Sequence, residues 1–339
     1  MFKILKEKEE GEDNMRILTG LKPTGSLTLG SYLGSIKQIV EMQDEGEIIL
    51  FIADLHALTV YQDPEELKKR IREFISVYLA CGVDPNKCTI YLQSENEYIP
   101  CISYLLECTT YYGEASRMIQ FKEKSKLNDN FSVGLLTYPI LMAADILYCD
   151  ADYVPVGIDQ KQHVELARNI AERFNNKYGK TFTLPDVKIS KTGTKVADLK
   201  DPTKKMSKSD ENQSGVIDLL EDLDEVRKKI MKATTDSDAT IKFDMDNKPG
   251  ISNLLNICAS IKEMSIDDII LECEGMNYGE FKSYVADIVC DRLKTIQNRY
   301  NEIKNSSELD KILDDGIKKS RDLAKAKYDL MKKNMGIIR

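Results

Sequence analysis

The stretch Met15-Arg16-Ile17-Leu18-Thr19-Gly20-Leu21-Lys22-Pro23-Thr24-Gly25-Ser26-Leu27-Thr28-Leu29-Gly30-Ser31 decides the fold. Met15 to Thr19 is a short apolar run that reads as a strand, and it feeds a glycine-bearing loop. From Gly30 to Gly46, Leu33, Ile36, Ile39, Val40 and Met42 recur at helical spacing. Strand, glycine loop and helix form the first half of a βαβ unit. The N-terminus of such a helix offers free backbone N–H groups to an anion.

Outward from there, Ile48 to Ala53 is a continuous apolar run, as expected of a parallel strand buried on both faces. It ends in Asp54-Leu55-His56, placing polar residues at the carboxyl edge where open α/β sheets bind ligands. Asp63-Pro64-Glu65-Glu66 reads as a capped helix start, and Thr89 to Gln93 as the next strand. Pro100 to Tyr148 is mostly helical, and Gly134 to Tyr148 is apolar nearly all round, hence buried. Asp145 lies inside that run, and a buried carboxylate requires a partner. Tyr153 to Val156 reads as a short strand, and an amphipathic helix follows Gln160. Another apolar stretch surrounds Val187 and Ile189. The alternation predicts an α/β protein with a Rossmann-type doubly wound parallel sheet.

The segment Lys204-Lys205-Met206-Ser207-Lys208-Ser209 cannot build a core and reads as an exposed basic loop. In an acidic protein such a loop suits a polyanion. A solvated basic turn is the plainer reading, and the glycine loop far upstream shifts the balance toward a nucleotide site. Beyond the loop, residues 219–231, 251–261, 281–303 and 309–331 carry helix-period stripes. The expected organisation is a charged N-terminal extension (1–14), a Rossmann-type catalytic domain (15–203), the lysine loop (204–214) and a C-terminal all-helical domain (215–339).

Composition narrows the classes. The 339 residues are 42% hydrophobic and 31% charged, which suits a soluble globular chain of about two domains. A net charge of −8 argues against wholesale coating of nucleic acid. No apolar run approaches the ~20 residues that span a bilayer, and Met1 to Asn14 lacks the apolar centre of a signal peptide. The eight cysteines include no CxxC pair and sit mostly in apolar segments, reading as small core residues in a reducing cytoplasm. No protein-bound metal cluster is expected.

Taken together, the chain from Met15 onward resembles a class I aminoacyl-tRNA synthetase of the bacterial tryptophanyl type. Pro23-Thr24-Gly25 through Thr28-Leu29-Gly30-Ser31 matches the first signature, and Lys205 to Ser209 matches the second. Between and beyond them, LLTYPILMAADILY, DYVPVGIDQKQHVELARNIAERFN and KPGISNLLNI look like the same family. The resemblance implies ATP with Mg²⁺, L-tryptophan and tRNA(Trp) as partners, and a homodimer. Its implied chemistry is attack of the tryptophan carboxylate on the α-phosphate of ATP. That carboxylate is already ionised at neutral pH, so no general base is needed, and catalysis rests on positioning and phosphate charge. Lys205 and Lys208 would hold the departing pyrophosphate with Met206, Ser207 and Ser209 closing over it. Lys122 and Lys124 resemble family lysines that reach the phosphates, although a solvated helix face reads equally well. Lys22, Pro23, Thr24, Gly30, Ser31, Gly157, Ile158, Asp159 and Val196 match positions around the nucleotide.

Taken without this resemblance, an Asp that caps a neighbouring helix or pairs with a lysine is the plainer reading; on the resemblance, specificity would rest on Asp145 accepting the indole N–H. A site built on such a bond rejects ligands that leave it unpaired by as much as ~10⁴. Gly20, His56, Tyr138, Met142, Val154, Val156 and Gln160 would complete the pocket, although Met142 and the valines read equally well as ordinary core, and His163 reads as structural. Three positions depart from the family pattern: Ser31 where Asn or His is usual, Lys22 where many relatives have Gln, and Ile158 where Glu is common. Three rivals share parts of the pattern. A tyrosyl enzyme would need a tyrosine near Leu18, a free-standing nucleotidyltransferase would not need the helical tail, and a non-catalytic paralogue would not need Asp145 with Lys205 and Lys208.

Overall fold

Three parallel strands lie side by side in chain order, β1 (Met15–Leu21), β2 (Gly46–Ile52) and β3 (Cys88–Leu92). The structure is a computed structural model that describes residues 15–127, 131–157, 160–186, 194–207 and 212–339. The N-terminal extension (1–14) and the stretch around Val187 and Ile189 lie outside the described residues. β1 pairs with β2 from Met15 opposite Gly46, and β2 with β3 from Ile48 opposite Cys88. On the other side of β1, Ile17 bridges in parallel to Tyr153, and Tyr153 bridges to Asp186. The stretch expected as a strand at 153–156 is therefore reduced to isolated bridging. Even so, the order of segments runs outward in both directions from β1. This is the doubly wound pattern, and it opens a crevice where β1 and the Tyr153 segment diverge.

Besides the one-turn helices Asp54–Ala57 and Tyr112–Ala115, the described helices in the first half are α1 (29–42), α2 (Pro64–Ala80), α3 (Tyr98–Glu107), α4 (Ile119–Leu127), α5 (Val133–Leu147) and α6 (Lys161–Tyr178). The second half adds α7 (Leu223–Met231), α8 (Pro249–Lys262), α9 (Ile266–Glu272), α10 (Tyr278–Ile303) and α11 (Ser307–Met335). α1 is capped by Thr28 and widens into a π turn at Tyr32–Ile36 before it ends at Met42, short of the expected Gly46. The Asp63 carboxylate accepts from the Glu65 and Glu66 amides to start α2, a cap that contributes about 1 kcal/mol.

The sheet separates two cores, which explains the unbroken apolar run of β2. Ile48, Leu50 and Ile52 face one core with α1, α2, α8 and α10; Ile49 and Phe51 face the other with α3, α5 and α6. The last helix belongs to both. Leu309 and Leu313 of α11 pack in the first core, and Ile317, Ala324 and Met331 in the second. It crosses the edge of β3 at Gly316, where an added Cβ would lie 1.8 Å from the Ile90 carbonyl oxygen. Only a glycine lets the helix cover that strand edge so closely. Past the crossing, buried Lys327 holds both oxygens of Asp150 at 2.8 Å and the Thr181 carbonyl at 2.7 Å.

Five of the eight thiols are buried, as their apolar surroundings predict, whereas Cys101 and Cys108 are exposed on one flank of α3. The basic run Arg227, Lys228, Lys229 at the end of α7 is largely neutralised by Asp287, Glu225 and Glu221. No described helix is long and apolar enough to cross a membrane.

Candidate active site

A cavity of about 360 Å³ occupies the crevice at the carboxyl ends of the strands. β1 contributes Leu18 and Gly20, and the segment beyond the Tyr153 bridge contributes Val154, Val156 and Gly157. Phe51 of β2 and His56 of the following turn form another side. α5 supplies Tyr138, Met142 and Asp145, and Gln160 stands at the start of α6. All eight residues read from the sequence as tryptophan-binding thus line one cavity. Gly20 has a steric reason to be there: an added Cβ would meet the Phe51 ring at 2.5 Å. Any side chain would push Phe51 into the space a ligand needs.

Asp145 is completely buried, and its partners are polar groups from two strand ends. The Gln93 amide nitrogen donates to both carboxylate oxygens, at 2.9 and 2.8 Å, and His56 Nε2 lies 2.9 Å from Oδ2. Burial raises the Asp145 pKa above the usual carboxylate range, and the bonds to His56 and Gln93 work against that rise. A carboxylate offers about four acceptor positions, of which these contacts occupy three. Among the described residues, the one remaining belongs to Oδ1. A cavity whose floor pairs apolar walls from Leu18, Phe51, Met142, Ile146 and Val154 with one buried acidic acceptor suits a large flat ligand that carries a single N–H.

Tyr138 lines the same cavity. Its hydroxyl lies 2.9 Å from His163 Nε2 and 3.3 Å from the Gln120 side-chain oxygen. Burial pushes the phenol up to about 12, so it stays a neutral hydrogen-bonding group at any working pH. His163 is buried on α6 and orients Tyr138 from behind, in keeping with the structural role read from the sequence.

The phosphate-type loops meet at the N-terminus of α1. Thr28 Oγ1 accepts from the Ser31 amide at 3.1 Å and lies 3.2 Å from Ser31 Oγ. Leu29 N donates to Ile217 O, and Leu219 N to Leu27 O, so the first loop is laced to the segment that follows the lysine loop. Val196 and Met206 are joined by a 2.9 Å backbone bond, next to an antiparallel bridge from Ala197 to Lys205. The basic loop is therefore not wholly solvated: Lys204 and Lys205 are exposed, but Met206 is buried, 3.4 Å from where a Gly30 Cβ would stand. Pro23 is buried and Thr24 half-buried at the turn of the first loop, and Lys22 reaches into the cavity wall beside Thr59. α4 carries Lys122, which is exposed, and Lys124. Lys208, Ser209, Ile158 and Asp159 lie outside the described residues.

Four lining or supporting residues were not singled out from the sequence. Gln93 and Gln120 are uncharged and carry no motif, although the position of Gln93 at the end of a strand was a usable signal. Thr59 follows the polar turn after β2. Asn253 grips the segment after Val196 from α8, accepting from Ala197 N at 2.8 Å and donating to Ala197 O at 3.0 Å.

Comparison with known proteins agrees with this geometry. Residues 9–294 match the family model described as tRNA synthetases class I (W and Y). A tryptophan–tRNA ligase of Bacillus subtilis (strain 168) is 49% identical over 323 residues, covering 95% of this chain and 98% of its own. The tryptophanyl-tRNA synthetase of Campylobacter jejuni, solved with ADP and tryptophan, superposes with a TM-score of 0.83 at 35% identity, over 95% of this chain and all of its own. That of Mycoplasma pneumoniae matches equally well, with 0.83 and 35%, over 95% and 97% of the two chains. On a sheet wound outward from β1, with both signature loops at its carboxyl edge and such likeness along nearly its whole length, the chain belongs to the class I tRNA synthetases (W and Y), among the tryptophan–tRNA ligases.

Proposed function

We propose that the cavity binds L-tryptophan with its indole N–H on Asp145, that ATP lies across the two signature loops, and that the product is tryptophanyl-adenylate, which then charges tRNA(Trp). The observation that carries this reading is the buried Asp145 carboxylate, with one acceptor position left among the described residues, beside the apolar side chains of Leu18, Phe51, Met142 and Val154. A tryptophan carboxylate oxygen forms a bond to the α-phosphorus, the bond from that phosphorus to the bridging oxygen breaks, and pyrophosphate departs with its electron pair. No proton needs to move in that step. Lys22 at the cavity wall and Lys205 on the loop supply positive charge on either side of the phosphates, with Lys208 completing the loop's share. Gly30 and Ser31 present the amide end of α1. Mg²⁺ enters with ATP as its phosphate complex. A ribose hydroxyl of the tRNA terminus then attacks the mixed anhydride and releases AMP.

Residues 215–339 would carry the anticodon end of the tRNA. Because α11 packs on the sheet, the reading surface is sought on α7 to α10. A second copy of the chain would cover the groove beside α3 and α5, where exposed Leu58, Tyr104 and Val133 surround a lining whose one charged residue is Glu107. A Tyr104→Glu substitution then yields a monomer in sedimentation. The cytoplasm, with tRNA and ATP at hand, would be its place of work. ATP–pyrophosphate exchange run in parallel with tryptophan and tyrosine tests the activity. Exchange with tryptophan alone, lost in Asp145→Ala, supports the reading. Exchange with tyrosine moves the chain to the other branch of its family, and no exchange with either rejects the enzyme.

A further inference from the structure

Gln93 is the first residue past β3, is completely buried, and does not line the cavity. Its nitrogen sits almost equally far from the two oxygens of Asp145, at 2.9 and 2.8 Å. Its own carbonyl oxygen Oε1 is buried with no hydrogen-bond partner among the described residues. An unmatched buried acceptor of this kind is destabilising, since the water it lost is not replaced. The carboxylate dictates this arrangement, because the reversed amide would aim Oε1 at two anionic oxygens. An apolar side chain would avoid the cost, so the amide is retained for what it does to Asp145.

The backbone around Gln93 is held from behind. Tyr91, two residues earlier on the same face of β3, meets the Tyr148 hydroxyl at 3.0 Å, and Tyr148 meets Ser320 of α11 at 3.1 Å. Asn96, at the end of the turn that Gln93 begins, donates to the same Ser320 at 2.7 Å, and its amide closes on the Gln93 carbonyl at 3.1 Å. One serine of the C-terminal helix thus braces both the strand end that carries Gln93 and the helix end that carries Asp145.

We infer that Gln93 is a specificity-positioning residue: by donating to both oxygens of Asp145 it fixes the carboxylate plane and leaves Oδ1 as the single acceptor for a ligand N–H. The inference rests on the proposed binding of tryptophan. Gln93 never touches the ligand, and being uncharged it holds the carboxylate without bringing a competing titration. The ionisable groups around Asp145 are His56 and Asp54 from the turn after β2, Tyr91 from β3, and Tyr148 and Cys149 at the end of α5. Among the side chains bonded to Asp145, Gln93 alone does not titrate.

The test uses Gln93→Met, which keeps the shape and removes the donor, and Gln93→Asn, which keeps an amide too short to reach. Pyrophosphate exchange is measured with tryptophan and with its benzothiophene isostere, in which sulfur replaces the indole N–H. Both variants are expected to raise the tryptophan KM about tenfold or more with kcat little changed, and to leave the KM of the isostere nearly unmoved. The acid limb of kcat/KM for tryptophan should move to higher pH, since a carboxylate deprived of a donor protonates more readily. If both KM values rise together, Gln93 only shapes the pocket, and the inference is wrong. Unchanged discrimination in either folded variant also overturns it, and Gln93→Asn decides alone if the Met form does not fold. Failure of the wild type to use tryptophan would instead reject the proposed function.

Discussion

Replacing Asp145 by asparagine separates recognition from folding. The side chain keeps its shape, and its oxygen can still accept from Gln93 while its amide faces His56 Nε2. What disappears is the anionic acceptor at the cavity floor. A hydrogen bond to a charged group contributes roughly 1.5–3 kcal/mol. At about 1.4 kcal/mol per decade, tryptophan affinity is expected to fall about 10- to 150-fold. Stability should move the other way. Burial raises the folded-state pKa of Asp145 above its unfolded value, so its favourable contribution is complete below the unfolded pKa and is lost as pH rises through the folded one. At neutral pH the carboxylate therefore subtracts from stability, and Asp145→Asn is expected to unfold at the same urea concentration as wild type or a higher one. The protein contains no tryptophan, so fluorescence excited at the red edge of indole absorption reports bound ligand with no protein background. Affinity within about threefold of wild type would mean that Asp145 is not the indole acceptor. A loss of more than ~2 kcal/mol of stability would mean that the carboxylate is held for structure, against the reasoning above.

Three further outcomes follow from other parts of the molecule. Asn253→Ala removes both bonds to Ala197 and loosens the bridged segment that seats Met206, so the KM for ATP should rise several-fold while tryptophan binding, read by fluorescence, stays put. Gly316→Ala drives a methyl into the Ile90 carbonyl; urea unfolding should show a loss of about 3 kcal/mol, and a neutral result would show that α11 can slide along β3. For Asp236, burial opposes the charge, but Lys248 and Tyr278 outweigh it and hold the pKa down to about 2. The stability this carboxylate contributes is present above its unfolded pKa, about 3.9, and is lost as pH falls toward 2. Asp236→Asn should therefore narrow the gap between neutral and acid unfolding midpoints.

The sequence by itself determined the class of sheet, the two signature loops and the identity of the buried acid. Those features are local: a continuous apolar run marks a strand covered on both faces, the signatures are contiguous motifs, and a lone Asp in an apolar helix must find a partner, although a helix cap or a lysine would serve as well as a ligand until the resemblance decides. The tryptophan-side residues came from the resemblance to the family, position by position; taken alone, Met142 and the valines read equally well as ordinary core, and it is the fold that gathers them around one cavity. Only the tertiary structure decided what surrounds Asp145. Gln93 follows the end of β3, 52 residues from Asp145, and carries no charge; its place at a strand end was the one signal, and nothing local tied it to Asp145. The burial of Met206 was hidden for the same reason: the partner that buries it, Gly30, lies at the other end of the domain. The course of α11 also depended on the whole fold. Its apolar stripe promised a buried helix, but whether that stripe met other helices or the open edge of β3 depended on Gly316 finding a strand that would admit it.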